Sequence, residues 1–356
     1  MSIVNVVLAA VGGLAALMVG LILWVMSGKP SHIMEGKKRI FTSLPSQAYV
    51  FGMAIKKSLV GKKVKSAKMP ETIFVQDDIE VNSEHVAQYR DICGFDLKGS
   101  DAPLTYPYLL IFPLQGLLLV DPSFPFQAMG LVHLANRIQQ FGAIKTGSKV
   151  SISVRFDQTV VPHAKGYCFN VISEVYSSSA QDVLLWRCES TYLFRSRNSS
   201  LVTGVDTYAS KFKESDMADI KEEKTWTLKG DFSRRYAAIS GDYNPIHLYA
   251  ATAKLFGFPH GCIMHGMWSV AASTAALMPD VTSPAAKIAR VVAEVYAEMK
   301  LPMYLPNKPI LLQKEVGAKD APEKTQCANV RVFELDMNMR KEKQPVPHLK
   351  GWCAWN

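Results

Sequence analysis

Beyond residue 80, the pattern of apolar residues predicts the same order of helices and strands twice. The first round begins at Asn82-Ser83-Glu84, where Asn82 or Ser83 can cap a helix. An apolar run follows over Tyr106–Val120, and Met129–Phe141 has the spacing of a helix. Three alternating or apolar stretches then predict antiparallel strands at residues 149–156, 167–176 and 183–194.

The second round follows a connection at residues 201–224 that is rich in Ser, Asp and Lys. A helix cap near Asp231–Ser233 precedes a short helix, a helix at Leu248–Phe256 and a helix rich in small residues over Met264–Leu277. Strands are predicted at residues 291–299, 309–316 and 326–337. The repeated order of helices and strands indicates an internal duplication.

A long helix beside an antiparallel sheet is an α+β arrangement in which the apolar face of the sheet closes over the helix. The second long helix lets the sheet approach closely because it carries Ser269, Ala271, Ala272, Ser273, Ala275 and Ala276. We therefore predict a double hot-dog fold, with two long central helices each wrapped by a curved antiparallel sheet. Its parts are a membrane anchor (1–28), a basic linker (29–79), a first half (80–200), a connection (201–224) and a second half (225–356).

The residues from Ile3 to Val25 form an apolar stretch without charge, long enough to cross about 30 Å of hydrocarbon as a transmembrane helix. A cleaved signal peptide is the alternative, but its usual basic residues do not precede this stretch. Basic residues follow from Lys29 onward, so the positive-inside rule leaves the globular part in the cytoplasm. The lysines from Lys56 to Lys68 either lie against anionic headgroups or form a solvated linker.

The length, the cysteine spacing and the net charge of the chain limit the classes of function that it can have. A length of 356 residues predicts about two domains. The six cysteines are scattered without metal-ligand spacing, which predicts reduced, mostly buried thiols and argues against a metal-dependent hydrolase. The net charge of +9 raises nucleic-acid binding, but the basic residues concentrate beside the apolar stretch and lack interleaved aromatic residues.

The most informative segment is Tyr236-Ala-Ala-Ile-Ser-Gly-Asp-Tyr-Asn-Pro-Ile-His247, which His265-Gly266-Met267 follows. Gly241 is suited to end a helix, and Pro245 stiffens the turn. Five residues apart on a regular helix, Asp242 and His247 would not face each other. Across a bend shaped by Gly and Pro they can converge on one water molecule, which suits addition of water to a polarised double bond.

This segment resembles the hydratase 2 motif of the MaoC-like dehydratase family, which includes (R)-specific enoyl-CoA hydratases. The resemblance implies that Asp242 and His247 activate water, with His247 as the main general base, and that the amide of Gly266 receives the charge on the thioester oxygen. Substrate contacts are expected among the neighbouring residues Tyr243, Asn244, His265 and Met267, with Asn244 orienting the turn and His265 starting the helix. No cofactor and no metal are expected.

The first half lacks this motif. At the equivalent place it reads Tyr89-Arg-Asp-Ile-Cys-Gly-Phe-Asp96 and continues without Asn-Pro-x-His. The resemblance therefore implies a catalytically silent half that shapes the pocket for a longer acyl chain. Its central helix is predicted at Leu131–Arg137, with His133 and Arg137 structural or facing CoA.

Three functional hypotheses stay open. The first is reversible hydration of trans-2-enoyl-CoA to (3R)-3-hydroxyacyl-CoA in fatty acyl metabolism. The second uses an acyl carrier protein as the thiol carrier, and thioester hydrolysis is its nearest enzymatic competitor. The third is a non-catalytic, membrane-anchored protein that binds acyl thioesters. The expected location is a single-pass membrane protein with a cytoplasmic globular part, and a homodimer is left open.

Overall fold

The computed structural model describes residues 27–60, 64, 67–196, 202, 206–212, 221–280, 290–317, 326–327, 331–339 and 346–355. The predicted anchor at residues 3–25 lies outside the described residues. Among the helices within the described ranges, none has the length and apolarity needed to cross a membrane. The described strands form one sheet of 12 strands, in which every pairing except that of β2 with β3 is antiparallel.

The first half of this sheet contains seven strands and carries three helices. The strands are β1 (His32–Glu35), β2 (Lys38–Phe41), β3 (Ile73–Glu80), β4 (Val132–Gln140), β5 (Lys149–His163), β6 (Gly166–Ser177) and β7 (Ala180–Arg195). The helices are α1 (Gln47–Val60), α2 (Ser83–Cys93) and α3 (Pro107–Val120). As predicted, the side chain of Asn82 caps α2 by accepting a hydrogen bond from the amide of His85.

The second half contains the remaining five strands and four helices. The strands are β8 (Lys221–Thr225), β9 (Ala293–Met299), β10 (Ile310–Val316), β11 (Arg331–Met339) and β12 (Val346–Trp355). The helices are α4 (Phe232–Ser240), α5 (Pro245–Leu248), α6 (Ala250–Leu255) and α7 (Gly266–Leu277). The strand β8 begins inside the predicted connection. It pairs with β10 and forms the outer edge of this half.

The strand order supports the predicted duplication. The first half is arranged β3-β5-β6-β7-β4 and the second β8-β10-β11-β12-β9. In each half, the strand that precedes the helices (β3 or β8) lies on the outer side. The next strand along the chain (β4 or β9) lies at the centre of the whole sheet. The three strands that follow form an antiparallel meander between them. The long helices α3 and α7 pack on these two halves of the sheet.

The two halves join through β4 and β9, which pair with Asn136 opposite Ala297 and Arg137 opposite Tyr296. On the outer face, the Arg137 guanidinium donates to the fully buried carboxylate of Glu294 at 2.7 Å. Gln139 donates to the same carboxylate at 2.8 Å. These contacts give Arg137 the structural role that was one of its two predicted roles.

The predicted central helix at Leu131–Arg137 is wrong. Residues 132–140 form the strand β4, and the central helix of the first half is α3. A register shift between His133 and Ala135 breaks the alternation of this strand, so its apolar residues take a helix-like spacing. The helix α3 is apolar all round because it is buried, and a helix without a polar face has no periodicity to detect.

The predicted basic linker at residues 29–79 is also wrong. This segment forms the hairpin β1–β2, the helix α1 and the strand β3, which pairs with β5. On α1, Tyr49 and Ala54 are buried, and Val50 packs against Gly116 of α3. Lys57 donates to the carbonyl oxygens of Asp121 and Phe124 at 2.6 and 2.7 Å. The many basic residues of this segment suggested a solvated linker, so the apolar face of α1 was not recognised in the sequence.

Two features of the core agree with the sequence. All six cysteines are buried and unbridged. The small residues Ser269, Ala271, Ala272 and Ser273 of α7 are fully buried, as expected of a helix that the sheet approaches closely.

We expect Gly351→Ala to destabilise the protein by about 2–3 kcal/mol, because overpacking of a filled core has this cost. A Cβ atom at Gly351 would clash with the carbonyl oxygen of Tyr296 on the paired strand β9. Gly230 is the matched control, since a Cβ there meets nothing within 4 Å. Urea unfolding measures both variants, and equal midpoints for the two would contradict the expectation.

Candidate active site

The sharp turn between α4 and α5 presents Asp242. Gly241 ends α4 with a φ of 72°, a left-handed conformation that glycine adopts without strain. The Asp242 carboxylate accepts a hydrogen bond from the amide of Asn244 at 3.1 Å. The Asn244 side chain caps α5 by accepting from the amide of Ile246, and Pro245 occupies the first turn of that helix. Gly241 and Pro245 therefore act as the sequence predicted.

His247 is held by a hydrogen bond that fixes its tautomer. Its Nδ1 lies 2.8 Å from the carbonyl oxygen of Ile263, and a carbonyl only accepts, so Nδ1 carries the proton. Nε2 is then left with a lone pair. Burial lowers the pKa of His247, although the charge of Asp242 opposes this shift. The ring is therefore neutral near pH 7 and can accept a proton.

His265 completes a compact cluster. Its ring is stacked on that of His247, with centroids 3.8 Å apart, and its Nε2 donates to the carbonyl oxygen of Asp242 at 3.0 Å. Burial holds the pKa of His265 well below its usual value. Asp242, His247 and His265 each offer one polar atom within 4.8 Å of the others.

An aspartate and two histidines are also metal-ligand types. The His265 nitrogen near the Asp242 carboxylate is Nε2, at 3.9 Å from Oδ2. This nitrogen bears the proton that it donates to the Asp242 carbonyl, so in this tautomer the lone pair of His265 lies on Nδ1, on the other side of the ring from that carbonyl. The hydrogen bonds thus favour acid–base chemistry at the cluster.

The helix α7 begins directly after His265. Gly266 is its first residue, where the backbone amide has no intrahelical partner and lies at the positive end of the helix dipole. A Cβ at Gly266 would lie 3.1 Å from the Met299 side chain, so a glycine lets β9 come close to this turn. An amide suited to an oxyanion therefore lies next in the chain to the histidine pair.

The other predicted contact residues are placed differently. Tyr243 is about half exposed, at 49%, and Asn244 is exposed and serves as the cap of α5. Met267 is buried, and its sulfur lies 2.8 Å from the side-chain amide nitrogen of Asn136. Asp242, His247, His265 and Gly266 are thus brought together, whereas Asn244 and Met267 support the surroundings and Tyr243 faces outward.

The first half of the chain holds these elements in ways that the sequence did not predict. Asn136 on β4 contacts Met267 and accepts from Ser190 at 2.9 Å. Trp268 donates to the carbonyl oxygen of Ile92 at 3.0 Å, so both residues that follow Gly266 contact the first half. The pairs Asn136–Met267 and Ile92–Trp268 are separated by more than a hundred residues in the chain, and no local pattern signals them.

The same half also contacts the end of α4. The Nε2 of His85 donates to the carbonyl oxygen of Ile239 at 2.7 Å, two residues before Gly241. Its Nδ1 accepts from the hydroxyl of Tyr106 at 3.0 Å. His133 lies inside this half, where burial lowers its pKa to about 4 against the opposing charge of Asp242. The first half therefore supports both the turn that carries Asp242 and the start of α7.

Comparison with known proteins gives three consistent findings. The family model described as "MaoC like domain" matches residues 212–297, which contain the turn, the histidine pair and Gly266. The 3-hydroxyacyl-thioester dehydratase X of Mycobacterium tuberculosis is 32% identical over 229 residues, which is 64% of this chain and 78% of that protein. The chain belongs to the MaoC-like dehydratase family.

Solved structures of this family have the same fold. A crystal structure of HtdX from Mycobacterium tuberculosis has a TM-score of 0.58 and 25% identity, with 79% of this chain and 98% of that chain covered. A MaoC-like dehydratase from Phytophthora capsici has a TM-score of 0.58 and 14% identity, with 83% and 98% covered, and shows the fold alone. The resemblance inferred from the motif is confirmed, and so is the hot-dog fold.

Buried histidines are expected to make this MaoC-like protein less stable in acid. Burial lowers the pKa of His133 and of His348 to about 4, and lowers those of His247 and His265 as well. An unfolded histidine has a pKa of about 6.5, so below that pH the unfolded chain binds more protons than the folded chain. The free energy of unfolding should fall as the pH drops from about 6.5 to 4, by on the order of 3 kcal/mol for each of His133 and His348.

Urea unfolding at a series of pH values measures this slope. His348→Gln should reduce it. His260→Gln should leave it unchanged, because His260 is exposed. A free energy of unfolding that stays constant below about pH 6.5 would contradict the assignment of these rings as buried and neutral.

Proposed function

We propose that this chain catalyses the reversible hydration of trans-2-enoyl-CoA to (3R)-3-hydroxyacyl-CoA in fatty acyl metabolism. The observation that carries the proposal is the convergence of Asp242 and the Nε2-basic tautomer of His247 beside the first amide of α7. Membership of a dehydratase family supports hydro-lyase chemistry on an acyl thioester. The proposal also specifies the direction of the reaction, the (3R) stereochemistry of the product and CoA as the thiol carrier.

In this mechanism, a water molecule is held between the Asp242 carboxylate and Nε2 of His247. His247 takes a proton from the water as its oxygen attacks the β-carbon. The electron pair of the double bond moves toward the thioester, and the amide of Gly266 stabilises the negative charge on the carbonyl oxygen. The α-carbon then takes a proton back from the dyad, so hydration is complete and the dyad returns to its starting state.

The surrounding contacts suit these steps. The hydrogen bond from Nδ1 to Ile263 keeps the basic nitrogen of His247 toward the reacting water and stabilises the imidazolium that forms. A placed general base typically contributes about 10²–10⁴ in rate, and loss of one oxyanion donor costs about 3–4 kcal/mol. The dyad and the amide are therefore both required.

Asp242→Asn and His247→Ala should each lower kcat/KM for hydration by at least about a hundredfold, since each removes the acid–base function. Asp231→Asn and His260→Ala are matched controls on exposed residues of the same half and should keep full turnover. Loss of enoyl absorbance measures the rate, and urea midpoints test that the variants remain folded. Full turnover by a folded Asp242→Asn would refute the dyad.

The substrate is tested with crotonyl-, octenoyl- and dodecenoyl-CoA and with the matching acyl carrier protein thioesters. We expect (3R) product, acceptance of the longer chains, and faster turnover of the CoA thioesters. A (3S) product would contradict the stereochemistry, and faster turnover of the carrier-protein thioesters would reverse the assignment of the carrier. Release of free thiol without hydration would indicate a thioesterase.

We also propose that residues 3–25 attach the enzyme to a membrane, with the globular part in the cytoplasm. The support is the length and the lack of charge of this stretch, together with the basic residues that follow it.

A further inference from the structure

The whole net positive charge of the chain is concentrated in one short segment. Residues 29–68 contain ten basic residues and a single acidic one, Glu35, which gives this segment the same net charge of +9 as the complete chain. The other residues contain thirty basic and thirty acidic side chains, which cancel. A surface that selects an anionic partner should therefore be sought on this segment.

The same segment also exposes apolar side chains. Eleven large apolar side chains are exposed in the described part of the chain, and five of them fall between residues 33 and 59. They are Ile33, Met34, Leu44, Ile55 and Leu59, the last being 81% exposed. Apolar residues scattered singly over a surface are ordinary, but this concentration indicates a contact surface.

The helix α1 shows how these residues are arranged. On its inner face, Val50 packs against Gly116 of α3, and Tyr49 and Ala54 are buried. Phe51, Ile55 and Leu59 follow one another at intervals of four residues and therefore share the opposite face. Ile55 and Leu59 on this face are exposed and Phe51 is partly exposed, so the face lies outside the core.

The outer face of α1 continues onto α6. The rings of Phe51 and Phe256 are in edge-to-face contact at 6.4 Å, and the neighbouring Leu255 is 80% exposed. Phe51, Ile55, Leu59, Leu255 and Phe256 form what we call the α1–α6 surface. It combines two helices that are about two hundred residues apart in the chain.

Basic residues accompany this surface. Lys56 on α1 and Lys254 on α6 are exposed. Lys29 and Lys38 precede α1 and are also exposed or partly exposed. Lys57 is different, because its ammonium group bonds the carbonyls of Asp121 and Phe124 and is not available to a partner.

Gly28, which follows the apolar stretch at residues 3–25 in the chain, lies beside the start of α1. The carbonyl of Gly28 accepts a hydrogen bond from the amide of Ser46, one residue before the start of α1. The chain that leaves residues 3–25 is thus tied to the end of α1 that carries Phe51. A surface that mixes apolar and basic side chains suits the boundary between headgroups and acyl chains of a bilayer.

We propose that the α1–α6 surface lies against an anionic lipid bilayer. A second copy of the chain fits less well, because a symmetric contact would bring the exposed Lys56 and Lys254 of both copies together. The proposal concerns an interaction surface and does not depend on the reaction that the site catalyses.

The test uses the full-length protein in phospholipid vesicles that contain phosphatidylserine and a lipid-borne spin-label quencher. An environment-sensitive fluorophore is attached at Leu59→Cys or Leu255→Cys. Leu97→Cys and Leu301→Cys are matched controls, because Leu97 and Leu301 are exposed but lie outside this surface. The native thiols are all buried, and labelled unmodified protein corrects for their reaction.

We expect quenching at positions 59 and 255 to be about threefold or more stronger than at 97 and 301. Vesicles of phosphatidylcholine alone, or high salt, should reduce this difference because they remove or screen the anionic charge. Lys56→Glu combined with Lys254→Glu should reduce it as well, while Lys98→Glu should not.

Two results would overturn the proposal. One is equal quenching at all four positions in anionic vesicles. The other is a blue-shifted fluorophore at positions 59 and 255 that the lipid quencher does not reach, which would mean that a second copy or residues 3–25 cover the surface. Activity measured in the same vesicles remains a separate test of the proposed reaction.

Discussion

The pairing of β4 with β9 is the contact on which the rest of the structure depends. It merges two five-stranded arrangements of the same order into one continuous sheet. Its register places Asn136 beside the strand on which α7 packs, where Asn136 contacts Met267. A slip of one residue would turn Arg137 toward that helix and remove its guanidinium from Glu294. Register therefore determines both the joining of the halves and the support of α7.

Within this frame, the chemistry depends on which nitrogen of His247 carries the proton. The carbonyl of Ile263 fixes that choice, and burial keeps the ring neutral. His265 stacks on the same ring and bonds the backbone of Asp242, so it ties the two ends of the turn together. The half that lacks the motif still contributes, because His85 contacts the end of α4, and Ile92 and Asn136 contact the first turn of α7.

The prediction failed where local periodicity was ambiguous. A bulge in β4 gave apolar residues a helical spacing, and the buried helix α3 had no polar face to reveal it. The high charge of residues 29–79 suggested a linker, whereas an apolar face of α1 and the pairing of β3 bring this segment into the fold. In each case tertiary burial outweighed the local pattern.

The sequence by itself determined the family and the turn that carries Asp242 and His247. These depend on residues close together in the chain, since Gly241 allows a left-handed helix end and Pro245 restricts the next residues whatever surrounds them. Only the tertiary structure decided the tautomer of His247, the stacking of His265 and the contacts between the first half and α7. Those contacts join distant residues, and their geometry exists only once the sheet has closed over both helices.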